Sequence, residues 1–301
     1  MKSLLGRVMS YSGLSYVENV LCKTPQLTVL MYHHVIDKHI FDKQMTYVKK
    51  HFTVVSESDI IAFFDKKKEL PKNSIAITFD DGYLDNYKNA YPILKKHNFP
   101  AIIFLATNFI DKTALCWYDK ISYIFESKDT VKVKNVEYTN PSAHLHAKSL
   151  PVKQRDEFIK QLVSASHSTI PVFSPEKYRF LTWNQIGKMT PLISFGGHTQ
   201  NHPILINTKQ NEMTREIKGS YHDLENQGYL PHSFCYPNGD NSTDVITAVK
   251  KTNFKIAFST IFGRNDSSTN KYLIKRIGIS EKDDLFAFKL KLTFLWRLLK
   301  R

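Results

Sequence analysis

Apolar residues in this chain come as short runs alternating with stretches where they recur three and four positions apart, the pattern of strands taking turns with amphipathic helices. Leu27–Tyr32 is a compact apolar run and reads as the first strand. Phe41, Met45 and Val48 recur at helical spacing, and a second helix is expected near residues 58–64. Ile75-Ala76-Ile77 reads as a buried strand, Tyr87, Tyr91 and Leu94 mark another helix, and Pro100 precedes a strand at Ala101–Leu105. This rhythm predicts a parallel α/β architecture.

Residues 111 to about 180 break the rhythm. They are rich in Lys, Ser, Thr and His, and Pro141, Pro151, Pro171 and Pro175 divide them. They read as an insertion over one face, with a helix near residues 155–163. The alternation resumes at 192–196. Thr208 looks like the cap of a helix carrying Met213, Ile217 and Leu224, which Gly228 stops. Strands are expected near 233–236, 256–259 and 274–279. The reading is therefore an extension at 1–25, packed outside as a helix, one domain at 26–284 and a basic amphipathic helix at 285–301. In that last stretch Leu285, Phe288, Leu292, Leu295 and Leu299 share a stripe. The stripe suits either an interfacial helix on an anionic membrane or a last helix packed on the domain.

Composition narrows the class. The apolar and charged fractions are ordinary for a globular protein, but the formal charge is +14. Such a charge favours an anionic polymer, an anionic membrane surface or simply a solvated basic face; no nucleic-acid partner is expected. Cys22, Cys116 and Cys235 are too few for a disulfide framework, which fits a reducing compartment. Arg7 interrupts the apolar start of the chain and no cleavage pattern follows. No stretch is long and apolar enough to cross a bilayer. The expected location is cytoplasmic, with peripheral attachment to the membrane face as an option.

The chemistry concentrates in two short motifs. Asp80-Asp81 closes a strand, and adjacent carboxylates raise one another's pKa unless a cation relieves them. Far downstream, His198 and His202 stand four positions apart in Gly197-His198-Thr199-Gln200-Asn201-His202-Pro203. That spacing puts two imidazoles on one helical face or in one turn-like loop. Two imidazoles and a carboxylate form a three-ligand site with an open position, as in catalytic zinc centres. The other carboxylate is then free to act as a base.

Thr78-Phe79-Asp80-Asp81-Gly82 followed by His198-Thr199-Gln200-Asn201-His202 resembles the NodB-type polysaccharide deacetylases, a family of carbohydrate esterases. Met31-Tyr32-His33-His34-Val35 and Cys235-Tyr236-Pro237-Asn238-Gly239 extend the likeness, closest in pattern to the poly-N-acetylglucosamine deacetylase-like subgroup. The resemblance implies a distorted (β/α) barrel with an inserted segment and peripheral terminal helices. It implies Asp80 as general base and Asp81, His198 and His202 as ligands of one divalent metal, zinc by preference, with cobalt, nickel or manganese as occupants of the same donors. The oxyanion donor maps to the backbone N–H of Asn238, where the family carries tyrosine. Many members use a late-strand histidine as the acid, yet no histidine follows His232; the subgroup's Tyr-His-x-Val segment transfers that role to His33. Strand alternation turns His33 and His34 to opposite faces, leaving His34 a structural residue.

A further departure matters. The arginine that orients the family's base is replaced by Cys235. Arg276 is the available substitute, although an ordinary surface arginine is the plainer reading of its position. The implied activity is hydrolytic removal of acetyl groups from N-acetylated sugars of a polysaccharide or a lipid-linked glycan. An O-acetyl glycan esterase and a non-catalytic glycan-binding relative are the alternatives.

Overall fold

The computed structural model describes residues 27–293. In chain order its strands are β1 (Leu27–Tyr32), β2 (Thr53–Val54), β3 (Ser74–Phe79), β4 (Ala101–Leu105), β5 (Val131–Val133), β6 (Val136–Tyr138), β7 (Ile193–Gly197), β8 (Ser233–Cys235), β9 (Ile256–Phe262) and β10 (Ile274–Gly278). Seven of them run β1-β10-β9-β8-β7-β4-β3, all parallel, and β1 pairs β3 from Leu27↔Ser74 to Tyr32↔Phe79. That pairing closes the sheet, giving the expected barrel, with β2 a short flank on β3.

Around the barrel lie α1 (Lys38–His51), α2 (Glu57–Phe64), α3 (Tyr91–His97), α4 (Trp117–Ile124), α5 (Asn140–Ser149), α6 (Val152–Ser166), α7 (Trp183–Met189), α8 (Gln210–Asn226), α9 (Thr243–Lys250) and α10 (Leu285–Lys291). The strands are apolar on both faces, as in parallel sheets covered by helices. Leu30, Tyr32, Ile77 and Phe79 pack against α1 and α3, while Leu27, Val29, Ala76, Phe104, Phe258 and Ile274 form a second cluster.

Side chains fix where the helices begin. Asp37 accepts from the N–H groups of His39 and Ile40 ahead of α1, and Ser56 and Asp59 form a reciprocal capping box on α2. Thr208 does not cap α8. Its hydroxyl donates to Ile204 O at 2.8 Å, and Lys209 takes the cap position.

Between β4 and α7 the chain leaves the barrel. Beyond the helix expected near 155–163, which is α6, this excursion contains α4, the β5–β6 hairpin and α5. It has a small core of its own around Trp117, Ile121, Phe158 and Leu162. Those elements are too short, and their apolar residues too sparse, to declare a period.

Of the C-terminal stripe, Leu285, Phe288 and Leu292 pack into the main core, and Lys289 lies over the ring of Tyr47 at 5.0 Å. Leu295 and Leu299, like the extension at 1–25, fall outside the described residues. No helix of the described residues is long and apolar enough to cross a membrane.

Candidate active site

The strand ends place the chemistry. Directly after β3 the chain turns through Asp81 (φ 74°) and Gly82 (φ 85°), left-handed conformations that bring both aspartates to the barrel mouth. A side chain at Gly82 would meet Leu105 at 2.7 Å. Directly after β7, Thr199 (φ 63°) and His202 (φ 50°) are also left-handed. The four-residue histidine spacing is thus realised in a loop rather than a helix, pinned by His202 N–H donating to Thr199 Oγ1 at 3.0 Å.

His198 Nε2 and His202 Nε2 each lie 3.4 Å from Asp81 Oδ1. All three residues are buried, and Asp81 Oδ1 has no hydrogen-bond partner. Burial pushes the pKa of His202 down to about 3, leaving its imidazole neutral. Burial works to raise Asp81, but the imidazoles of His198 and His202 beside it hold it well below the usual carboxylate range. His198 Nδ1 sits 2.7 Å from Cys235 O, the second contact that fixes a ligating imidazole. An orphaned carboxylate oxygen facing two imidazoles suits a divalent transition ion. Asp80, His198 and Cys235 also cluster, but a guanidinium 3.0 Å from Cys235 Sγ leaves no place there for a cation.

That guanidinium is Arg276, and the sequence reading of it as a surface residue is corrected. It is 1 % exposed. Nη1 donates to Asp80 Oδ1 at 2.7 Å and Nη2 to Oδ2 at 2.8 Å, a bidentate pair, while Nε donates to Ser259 O at 2.8 Å. Burial pushes the Asp80 pKa up, but the charge and hydrogen bonds of Arg276 outweigh it and keep the carboxyl below its ordinary value. Arg276 alternates with Ile274 on β10, so it shares the face of a buried residue; that was the available signal.

A cavity of about 330 Å³ opens over these groups, and His33, His34 and Asn238 line it. The expectation that the two histidines face apart fails because β1 ends at Tyr32, so strand alternation no longer governs them. The His33 side chain is 46 % exposed, with Nε2 3.9 Å from Asp80 Oδ2. His34 is tethered: Nδ1 lies 2.8 Å from Asp85 Oδ2, and the ring lies 3.9 Å from that of Tyr83. Burial lowers its pKa, but Asp85 more than compensates and raises it. Asn238 is left-handed (φ 56°), a conformation asparagine tolerates better than the tyrosine it replaces.

Further contacts went unread in the sequence. Glu216 of α8 accepts from Gln200 N–H (3.0 Å), Asn201 N–H (2.8 Å) and Asn201 Nδ2 (2.7 Å), anchoring the loop between the two histidines. Asp223, two turns on, accepts from Gln200 Nε2 at 2.9 Å. Trp117 of the excursion donates Nε1 to His202 O at 3.0 Å. Asp119 lines the cavity, buried, taking hydrogen bonds from Tyr83 and Cys116; burial pushes its pKa up to about 7. Each is joined to the motifs only through space.

Comparison with known proteins agrees with this geometry. Residues 67–257 match the sequence profile of polysaccharide deacetylases. A poly-beta-1,6-N-acetyl-D-glucosamine N-deacetylase of Staphylococcus aureus is 26% identical over 261 residues, which cover 86% of this chain and 72% of that protein. Two solved structures share the fold. The Streptococcus pyogenes deacetylase PplD, in complex with acetate, has a TM-score of 0.63 at 19% identity, over 90% of this chain and 100% of that one. IcaB from Ammonifex degensii has a TM-score of 0.63 at 16% identity, over 89% of this chain and 98% of that one.

Proposed function

This chain belongs to the polysaccharide deacetylase family, a family of hydrolases, and on that premise we propose that it removes acetyl groups from N-acetylated hexosamines of a polysaccharide or its lipid-linked precursor. One divalent metal ion, held by Asp81, His198 and His202, would serve the reaction. Zinc suits two histidines and a carboxylate best, and cobalt, nickel or manganese fit the same donors. The name of the staphylococcal relative supports the N-acetylated sugar.

The observation that carries the reading is an ionised, oriented carboxylate beside a cation site in one cavity. When bound, the ion supplies Lewis-acid polarisation of the acetyl carbonyl and acidifies a nearby water. Asp80, fixed by Arg276, takes the proton from that water as its oxygen attacks the carbonyl carbon. The backbone N–H of Asn238 donates to the developing oxyanion. His33, exposed at the cavity wall, gives a proton to the departing amine. Arg276 supplies the charge whose absence from the sequence motif left a non-catalytic glycan-binding relative open.

The deciding experiment measures metal by elemental mass spectrometry and acetate release from N-acetylated oligosaccharides on the same samples. The wild type should carry near one transition metal per chain and release acetate. His198→Ala should lose the metal; Asp80→Asn should keep it while activity falls roughly 10²- to 10⁴-fold. A wild type that takes up no zinc, or an Asp80→Asn variant with undiminished turnover, would overturn the proposal.

A further inference from the structure

The cavity has two walls. One is the barrel mouth; the other is the excursion, which contributes His144 and Lys148 of α5 together with Lys177 and Tyr178. The buried carboxylates around the cavity have partners. Asp80 has Arg276, Asp81 faces the two imidazoles, and Asp119 takes hydrogen bonds from Tyr83 and Cys116. Glu281 also lines the cavity but is exposed to solvent.

Lys148 has no such partner. It occupies the last turn of α5, partly buried, and its ammonium makes no hydrogen bond or ion pair with any described residue. Asp240 reaches it only as a longer-range charge. Its backbone is held in place, since Lys148 O accepts from Asn207 Nδ2 at 2.9 Å. One turn earlier on the same helix face, His144 Nε2 lies 3.1 Å from Ser122 Oγ. Lys177 adds a second cation to this wall, over the Tyr178 ring at 5.2 Å and 3.4 Å from Glu126. An ammonium drawn partly out of water with no counter-charge in direct contact is unfavourable until an anion meets it. In a cavity built to receive a glycan, that anion arrives with the substrate.

Resting on the deacetylase reading, we propose that Lys148, assisted by Lys177, forms an anion subsite, and that the natural substrate carries a carboxylate or phosphate on or beside the sugar that is deacetylated. The excursion then sets which polymer is accepted, while the barrel mouth performs the hydrolysis. Binding is a charge-assisted hydrogen bond from Nζ to the anionic oxygen.

The test compares kcat/KM for three substrates on metal-loaded enzyme. They are a neutral N-acetylglucosamine tetrasaccharide, the same tetrasaccharide with a reducing-end phosphate, and a tetrasaccharide alternating N-acetylglucosamine with glucuronic acid. The wild type should prefer one anionic substrate by roughly tenfold or more, the scale of a hydrogen bond to a charged group; which one identifies phosphate or carboxylate. Lys148→Gln should collapse that ratio towards one, largely through KM, and Lys148→Arg should keep most of it. Equal use of neutral and anionic substrates by the wild type, or a preference that survives Lys148→Gln, overturns the subsite and leaves the deacetylase reading standing. No acetate from any of the three overturns both.

Discussion

Arg276 and Asp80 stand 196 positions apart in the sequence, yet together they form the buried ion pair that orients the carboxylate proposed as the base. Removing one partner strands the other charge in a low-dielectric interior, a loss of about 3–5 kcal/mol. Arg276→Met should therefore lower stability steeply and abolish most turnover, with Asp80 no longer oriented. The double variant Arg276→Met/Asp80→Asn, which strands neither charge, should recover stability over Arg276→Met alone but regain no activity. Urea denaturation of the metal-free proteins checks this; a double variant no more stable than the arginine single would show that the pair is not mutually dependent. The same residues mark what the sequence could disclose. Asp80, Asp81, His198 and His202 were legible because each pair is local and sits at a strand end. Arg276 could be named as a substitute but not chosen over a surface role, because nothing local selects Ser259, Cys235 and Asp80 as its neighbours. His33 and His34 were read with the alternation of a strand that had already ended at Tyr32.

At the scale of elements, α8 is the frame of the candidate cation site. Glu216, Gly219 and Asp223 line one face at i, i+3 and i+7, and the Gln200 side chain lies across Gly219, where an added Cβ would sit 2.3 Å from it. The periodicity of Met213, Ile217 and Leu224 discloses the helix but says nothing of what its polar face holds. Because Glu216 fixes a loop with two left-handed residues, Glu216→Gln should weaken zinc binding about 10- to 100-fold, the range for residues that orient metal ligands. Chelator competition gives the affinity, and thermal melting of the metal-free protein separates it from general damage. Unchanged zinc affinity would reduce Glu216 to an ordinary helix–loop contact. Gly219→Ala should weaken zinc binding in the same direction, since it displaces Gln200. The terminal helix teaches a complementary lesson. A stripe of apolar residues does not name its partner, and Leu285, Phe288 and Leu292 face the domain itself.

At the scale of the whole molecule, the strand–helix rhythm was enough to call for parallel α/β architecture, whereas closure was not. Barrel closure depends on β1 meeting β3 across α1, β2 and α2, a pairing that no window of sequence contains. The end of the barrel opposite the site carries its own consequence. Glu57, at the start of α2, is buried and accepts a hydrogen bond from Ser233, the first residue of β8, and another from Ser194 near the start of β7. Burial raises its pKa from 4.5 to about 7 despite those bonds. The folded protein therefore holds a proton that the unfolded chain releases between these values, so stability falls as pH rises through that window and the loss is complete above about pH 7. Glu57→Gln cannot ionise and keeps an acceptor for Ser233. Its stability relative to the wild type should therefore improve by about 2 kcal/mol on going from pH 5 to pH 8, the scale set by the shift. Chemical denaturation with chelator present isolates this from the cation site. A stability difference between the two proteins that does not change with pH would mean that Glu57 ionises as readily inside the fold as outside it, and that the closed end of the barrel is wetter than its packing implies.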